Sequence, residues 1–473
     1  MALTTPPVFN DSKPAVFRQL DPAKYSSLGD YIDEINKPDN RDQLVKTYGY
    51  QQISGGITGF LNLTGAVRAS GSADQVQYWE ETRLHSYATG NPAITATTAS
   101  TFVFSKAAGV ASVLRLNDVV LVGGEDRFIV SAISPTGEVA SGATADYTLQ
   151  ALSGNLTTAI AATTAVNLPV IGNLFKQGSD QNTGFLESNV IKRTNPYNIV
   201  KEVFKVTGSQ ATNIGWVNVG NGDYRWYVKG EMDTRARFLD KREMMMLLGE
   251  TVGNTLTGAG ASVTAGEGYF AALEGRGIVN TGGNIAGFAD MDAIIAELDK
   301  QGATPEYAMY VNTSQGLAID DMVASMNGAA GFAGNKNAGP TTHNVGATVG
   351  VNAFGGRDGG GADLGFQSFT RGGYTFHKHD WKLLNDPTLL AGSKYIGAMI
   401  PMTTVVDPKT GIRANALEMN YKDTNGYSRE LEHWMTGSIL GVHNTNVDDL
   451  QFNYRSEACL VTRAANQHVL LKA

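Results

Sequence analysis

The apolar positions along this chain change period several times, and each change marks a predicted element. Leu28, Tyr31, Ile32 and Ile35 recur at i, i+3, i+4 and i+7, which predicts a short helix. It closes an N-terminal arm, residues 1–48, that Pro6, Pro7, Pro14, Pro22 and Pro38 otherwise keep irregular. Residues 49–92 read as a long β-hairpin: Leu61, Leu63 and Val67 going out, a tip over 69–74, and a return through Val76, Tyr78 and Trp79. Residues 93–168 turn to Ala, Thr, Ser, Gly and Val with few charges. Strand-like runs recur there at 101–104, 119–122, 127–130 and 147–150, with a hairpin loop at 123–126. They predict a small β-barrel or sandwich inserted into a parent fold, with a separate adhesion-type module as the alternative.

Alternation resumes over 169–215, notably at Val203 to Thr207. Residues 223–256 then carry the strongest helical pattern, with an apolar stripe of Tyr227, Phe238, Met245, Leu248 and Val252. Glu231–Arg235 and Asp233–Arg237 add i, i+4 pairs with the acid first. Such a helix would be about 50 Å long at the usual rise per residue. Beyond it the pattern predicts a helix from Met291, a strand over 307–311, and a helix capped by Asn312 or Thr313. A glycine-rich stretch follows over 327–365, and mainly strands from 364 onward.

Composition sharpens this picture. The 473 residues are 42% hydrophobic and only 17% charged, with 55 glycines and a net charge of −8. Low charge suits a chain that covers much of its surface with neighbours. No Lys/Arg run appears, which argues against wrapping nucleic acid directly. The lone Cys459 sits in an apolar run, so it reads as a buried structural thiol and no intrachain disulfide can form. The start, Met1-Ala2-Leu3-Thr4-Thr5-Pro6-Pro7, has neither a basic nor an apolar signal region, which predicts synthesis without export. No apolar run is long enough to span a membrane.

Catalytic chemistry finds little footing. Gly334-Asn335-Lys336-Asn337 lacks the hydroxyl of a phosphate loop, and the glycines at 355–361 precede no clear helix. His377 and His379 could share a strand face as a ligand pair, but no third ligand lies at a useful spacing. Asp320-Asp321, Asp448-Asp449 and Glu80-Glu81 are sequence neighbours whose side chains diverge. Tyr224 to Lys229 interleaves aromatics with cations, as in single-strand binders, yet it leads straight into the long helix. We therefore predict no catalytic residue, no cofactor and no metal.

The order of elements carries a resemblance. Arm, long hairpin, long helix, central α/β region and strand-rich end resemble the HK97-like major capsid fold of tailed phages. Local texture is similar too: Val203 to Gln210 before the helix, Asp240-Lys241-Arg242-Glu243 ahead of Leu247-Leu248-Gly249-Glu250, and 289–295 followed by 305–311. The resemblance implies an α+β fold with an N-terminal arm (1–48), an extended loop (49–92 outgoing, 169–215 returning), an inserted β domain (93–168), a peripheral domain with its spine helix (216–265), an axial domain (266–400) and C-terminal strands (401–473). It implies a non-enzymatic subunit that builds pentamers and hexamers of an icosahedral or prolate head around DNA. Scaffold, portal and decoration proteins would be partners, the virion its location, and the host cytoplasm its site of assembly. Tyr78 and Trp79 are the candidate inter-subunit anchors, packing within the chain being the other reading for both; Arg83, Lys192 and Arg193 are candidate contacts beside them. Rival readings are a tail-tube or sheath protein, and a secreted carbohydrate-active β-rich protein.

Overall fold

A computed structural model describes residues 56–473, apart from 86, 93–98, 107–112, 135–144, 158, 161–164, 182–189, 214–225, 253–262, 330–367, 387–389, 391–392, 403 and 407–412. The N-terminal arm and nearly all of the glycine-rich stretch lie outside the described residues. The chain divides into two compact units. The smaller holds, among described residues, parts of Glu202–Arg237 and His433–Tyr454; the larger holds the rest.

The first described element is a helix, α1 (Ile57–Leu63), followed by β1 (Val67–Ala69) and β2 (Gln75–Glu81). This corrects the hairpin expected over 49–92. Ile57, Phe60 and Leu61 are buried at helical spacing while Leu63 is 89% exposed, so the outgoing limb is helical. The partner of β2 lies more than 100 residues further on.

Between them stands a closed antiparallel barrel: β3 (Tyr87–Pro92), β4 (Thr101–Lys106), β5 (Asp118–Val122), β6 (Asp126–Ser134), β7 (Ala145–Ala151) and β8 (Val166–Asn173), in the order β3-β4-β7-β6-β5-β8. Its strands start before residue 93 and run past 168, wider than the expected insertion, because β3 and β8 must pair with each other to close the wall. Alternate residues fill the interior: Phe102, Phe104, Val120, Phe128, Val130, Tyr147 and Leu149, with the rings of Phe102 and Phe128 edge to face at 5.1 Å. Gly123 and Gly124 both take positive φ, which makes the tight β5–β6 turn possible.

The chain then returns through β9 (Val190–Pro196) and β10 (Asn198–Thr207) and enters the long helix, α2 (Trp226–Leu248). At about 1.5 Å per residue it is roughly 35 Å long, shorter than the 223–256 expected. Its buried face departs from the expected stripe at Met245, which is partly exposed, while Phe238 is inside and Leu248 packs against the core. Met246, Leu247, Arg242 and Glu243 are inside as well.

The larger unit is built on a six-stranded mixed sheet. Helix α3 (Tyr269–Arg276) and β11 (Ile278–Asn280) precede α4 (Phe288–Lys300), β12 (Glu306–Val311) and α5 (Thr313–Ala329). Then come β13 (Ser368–Arg371), β14 (Tyr374–Asp380), β15 (Tyr395–Pro401), and the hairpin β16 (Thr404–Val406) and β17 (Arg413–Asn415). The remaining strands are β18 (Leu417–Tyr421), β19 (Asp423–Thr424), β20 (Tyr427–Ser428), β21 (Glu432–Gly437), β22 (Asp449–Thr462) and β23 (Val469–Lys472). The sheet order is β11-β23-β15-β12-β14-β13, with β12 parallel to β14 and antiparallel to β15. Period-two alternation sends Tyr307, Met309 and Val311 into one apolar cluster with α4 and α5, and Ala308 and Tyr310 into the other with α1, α2 and α3. Both faces are therefore covered. Asn312 Oδ1 accepts the Gln315 N–H at 2.8 Å, the helix cap read from the sequence.

Glu243 has a structural role that its charge conceals. Its carboxylate accepts the Ile57 and Thr58 N–H groups and the Thr58 hydroxyl, so α2 caps the N-terminus of α1. Burial raises the Glu243 pKa, and those hydrogen bonds act against the rise. Its neighbour Arg242 donates to the Glu430 carbonyl at 3.3 Å.

In the smaller unit, β10 and β22 bring the Phe204 and Phe452 rings to 6.2 Å, and His433 stacks on Tyr454 at 4.8 Å. Tyr454 donates to Glu231, and Asp233 pairs with Lys229.

Candidate assembly surface

Strands β2 and β9 form a two-stranded antiparallel ribbon of seven residue pairs, from Gln75↔Pro196 to Glu81↔Val190. Its near end joins β1 and β10, and its far end carries the barrel. Alternation gives it two faces. Val76, Tyr78, Glu80, Ile191, Arg193 and Asn195 point inward; Gln77, Trp79, Glu81, Val190, Lys192 and Thr194 point outward.

The inward face is held by polar contacts. The Tyr78 hydroxyl donates to the Thr462 carbonyl at 3.1 Å and accepts from Arg276 Nη1 at 3.1 Å. Arg276 Nη2 donates to Glu267 at 2.6 Å. Glu80 accepts the Ala464 N–H at 3.0 Å and pairs with Arg193 at 3.3 Å. The buried Asn195 uses both ends of its amide: Nδ2 donates to the Leu460 and Glu267 carbonyls, and Oδ1 accepts the Glu267 N–H at 2.7 Å. Gly266 makes this approach possible, since a Cβ there would collide with the Pro196 carbonyl and Asn195 Oδ1. Burial raises the Tyr78 pKa against the opposing influence of Arg276. Burial alone would lower the Arg276 pKa, yet Tyr78, Glu267 and Glu80 carry it above its usual value.

The outward face is different. Trp79 is 64% exposed, and the Lys192 ammonium lies over its ring across the ribbon, 5.9 Å from the centroid. Val190 stands diagonal to it at 54% exposure, and Leu84, just past the far end, is 73% exposed. Leu174 and Phe175, which follow the barrel, are also exposed.

The five residues singled out from the sequence thus separate. Tyr78 is buried and bonded within its own chain, because its strand position faces inward. Arg193 pairs with Glu80. Arg83 donates to the Lys300 carbonyl and to Gln301 at 3.2 Å, at the C-terminus of α4. Trp79 and Lys192 remain on the outward face. Sequence reading missed Arg276, Asn195 and Glu267. Only the opposition of β2 and β9 brings them together, and no local spacing signals that.

Among the described residues, no cluster of His, Cys, Asp and Glu could hold a metal ion. His377 faces Glu306 at 3.2 Å, and His379 stacks on Tyr310 at 5.1 Å. Cys459 is fully buried, and burial pushes its thiol up to about 12. No described helix is long and apolar enough to cross a membrane.

No family model and no curated protein matches the sequence. Several solved structures align with the chain over most of its length. A chain of Mycobacterium phage Ogopogo is 7% identical, with a TM-score of 0.40 and coverage of 95% of this chain and 99% of that one. One of Gordonia phage Cozz is 9% identical, at 0.38, covering 97% and 98%. One from the capsid structure of cyanophage P-SCSP1u is 10% identical, at 0.37, covering 93% and 94%.

Proposed function

We propose that this chain is the major capsid protein of a tailed double-stranded DNA phage, with an HK97-like fold, and that it works by binding copies of itself. The observation that carries this reading is the ribbon. A two-stranded ribbon is marginal alone in water. Here one face is fastened to the core, while the other offers an exposed tryptophan beside apolar neighbours. Trp79 with the exposed Val190 and Leu84 near it makes an apolar patch on one ordered face, which suits a contact surface. Element order supports the same reading: an extended ribbon, a long helix whose buried face joins the core, and a two-faced α/β sheet.

In this reading the outward face of β2 and β9 lies on a neighbouring subunit, with Trp79 as its apolar anchor and Lys192 beside it. Tyr78, Arg83 and Arg193 instead shape the subunit that presents them. The N-terminal arm bridges to a second neighbour. Ring-closing heterologous contacts of this kind give pentamers and hexamers, and each contact can be modest because a shell sums hundreds. The subunit performs no catalysis and encloses DNA without reading its sequence. Separate scaffold, portal and decoration proteins complete the head, which assembles in the host cytoplasm.

Electron microscopy of the chain, expressed alone and with a scaffold protein, tests this. Round closed shells are expected. Helical tubes would point to a tail protein, and dispersed monomers at high concentration would remove the reading.

A further inference from the structure

We infer that Arg276 is a positioning residue that sets the direction in which the ribbon, and the barrel at its far end, leave the core. It is the last residue of α3, and its guanidinium sits between two parts of the clamp. One nitrogen reaches the Tyr78 hydroxyl in the middle of β2. Another reaches Glu267, whose backbone N–H and C=O are both taken by Asn195 of β9. A single planar fork therefore ties both ribbon strands to one helix end, where a cation is also favoured by the helix dipole.

The geometry gives this small cluster a long lever. The ribbon extends three residue pairs past Tyr78, roughly 10 Å at the usual strand rise, before the barrel begins. A rotation of about 10° at the clamp becomes a displacement of roughly 2 Å where the barrel begins, and more at its far side. No apolar cluster substitutes for it: Tyr78, Asn195 and the inward ribbon residues belong to none of the three cores of the described structure. The ribbon's inward hold is mainly polar and directional, and polar bonds fix an angle where apolar packing permits sliding.

The consequence for assembly rests on reading the ribbon as the part that meets a second copy. Its angle then decides where Trp79 lands on the neighbour. A subunit without the clamp folds but docks at varied angles, so it closes shells poorly.

The test measures the angle and the assembly separately. Spin labels at Glu125→Cys, on the β5–β6 turn, and Glu297→Cys, on α4, report the distance between barrel and core; the native Cys459 is buried and stays unlabelled. In the full-length chain we expect one narrow distance distribution. Arg276→Met should broaden it at least about twofold while the thermal unfolding midpoint of the core stays within a few degrees. Tyr78→Phe keeps the ring and removes the bridging hydroxyl, so it should broaden the distribution less; it serves as the second variant if Arg276→Met folds poorly. Unchanged distributions in both variants would overturn the inference, whatever the particles look like. Broadened distributions in a chain whose parent builds no shells would support the clamp and defeat the capsid reading alone.

Discussion

The barrel and the ribbon that carries it are built from the same alternation, with opposite results. In the barrel, one side of every strand meets the others, and Phe104, Phe128, Val130 and Leu149 are fully buried. Closure also pairs the edges, so none of the described barrel strands offers an open edge to a partner strand. In the ribbon, one face is used up by polar contacts to the core and the other is bare. Alternation alone therefore does not distinguish a module that completes itself from one that needs another molecule. The distinction lies in what each face meets.

Several variants would break or sharpen this contrast. The largest effect is expected inside the barrel. Phe128→Ala empties the centre of its core and should cost about 3–5 kcal/mol of barrel stability. Hydrogen exchange should rise across β4 to β7 and stay unchanged in β12 and β15. Loss of protection throughout the chain would mean the barrel is not self-contained.

Trp79→Ala is the mirror case. Subunit stability should change by less than about 0.5 kcal/mol, as for an exposed site. Association should weaken by about 2 kcal/mol or more per contact, as for an interface anchor. Chemical denaturation of free subunits and light scattering during assembly measure the two halves; a large loss of subunit stability would place Trp79 in the core.

Acid should separate the barrel from the core. His468 is fully buried, bonded through Nδ1 to the Tyr269 hydroxyl at 2.9 Å, and burial lowers its pKa to about 3. The unfolded chain takes up this proton near pH 6.5 and the folded chain does not. Core stability should therefore fall as pH drops from about 6.5 toward 3, by up to about 1.4 kcal/mol per pH unit. The barrel strands contain no histidine. Burial instead raises the pKa of Asp118, so the folded barrel holds that proton more firmly and gains stability as pH falls past its raised pKa. His468→Gln should flatten the core's response and leave the barrel's alone; an unchanged core profile would remove His468 as the cause.

The smallest expected effect is a control. Cys459 lies in β22, outside both regions, with its thiol buried and its pKa held high. A soluble disulfide reagent should label it negligibly in the parent, in Phe128→Ala and in Trp79→Ala. Fast labelling in either variant would show that damage spreads into the core.

Much of the local structure could be read from the sequence, because period and burial agree there. The strand runs at 119–122, 127–130 and 147–150, the α4 helix, the β12 strand and the Asn312 cap all follow from spacing. The long-range features were hidden. Glu80 and Glu81 precede a strand partner separated by the whole barrel, so β2 was matched to nearby residues that are helical. Ile57, Phe60 and Leu61 did carry the helical spacing that would have shown this. No local spacing signals that Glu243 is buried; the end of α1 arriving beside it explains that burial. Tyr78 and Trp79 are adjacent and equally aromatic. Strand direction alone gives one to the core and the other to the surface.

Hydrogen exchange on free and assembled subunits tests the central claim most directly. The account predicts that residues 75–81 and 190–196 gain strong protection on assembly, while β4 to β7 of the barrel exchange alike in both states. A ribbon whose exchange does not change between free and assembled subunits would contradict it.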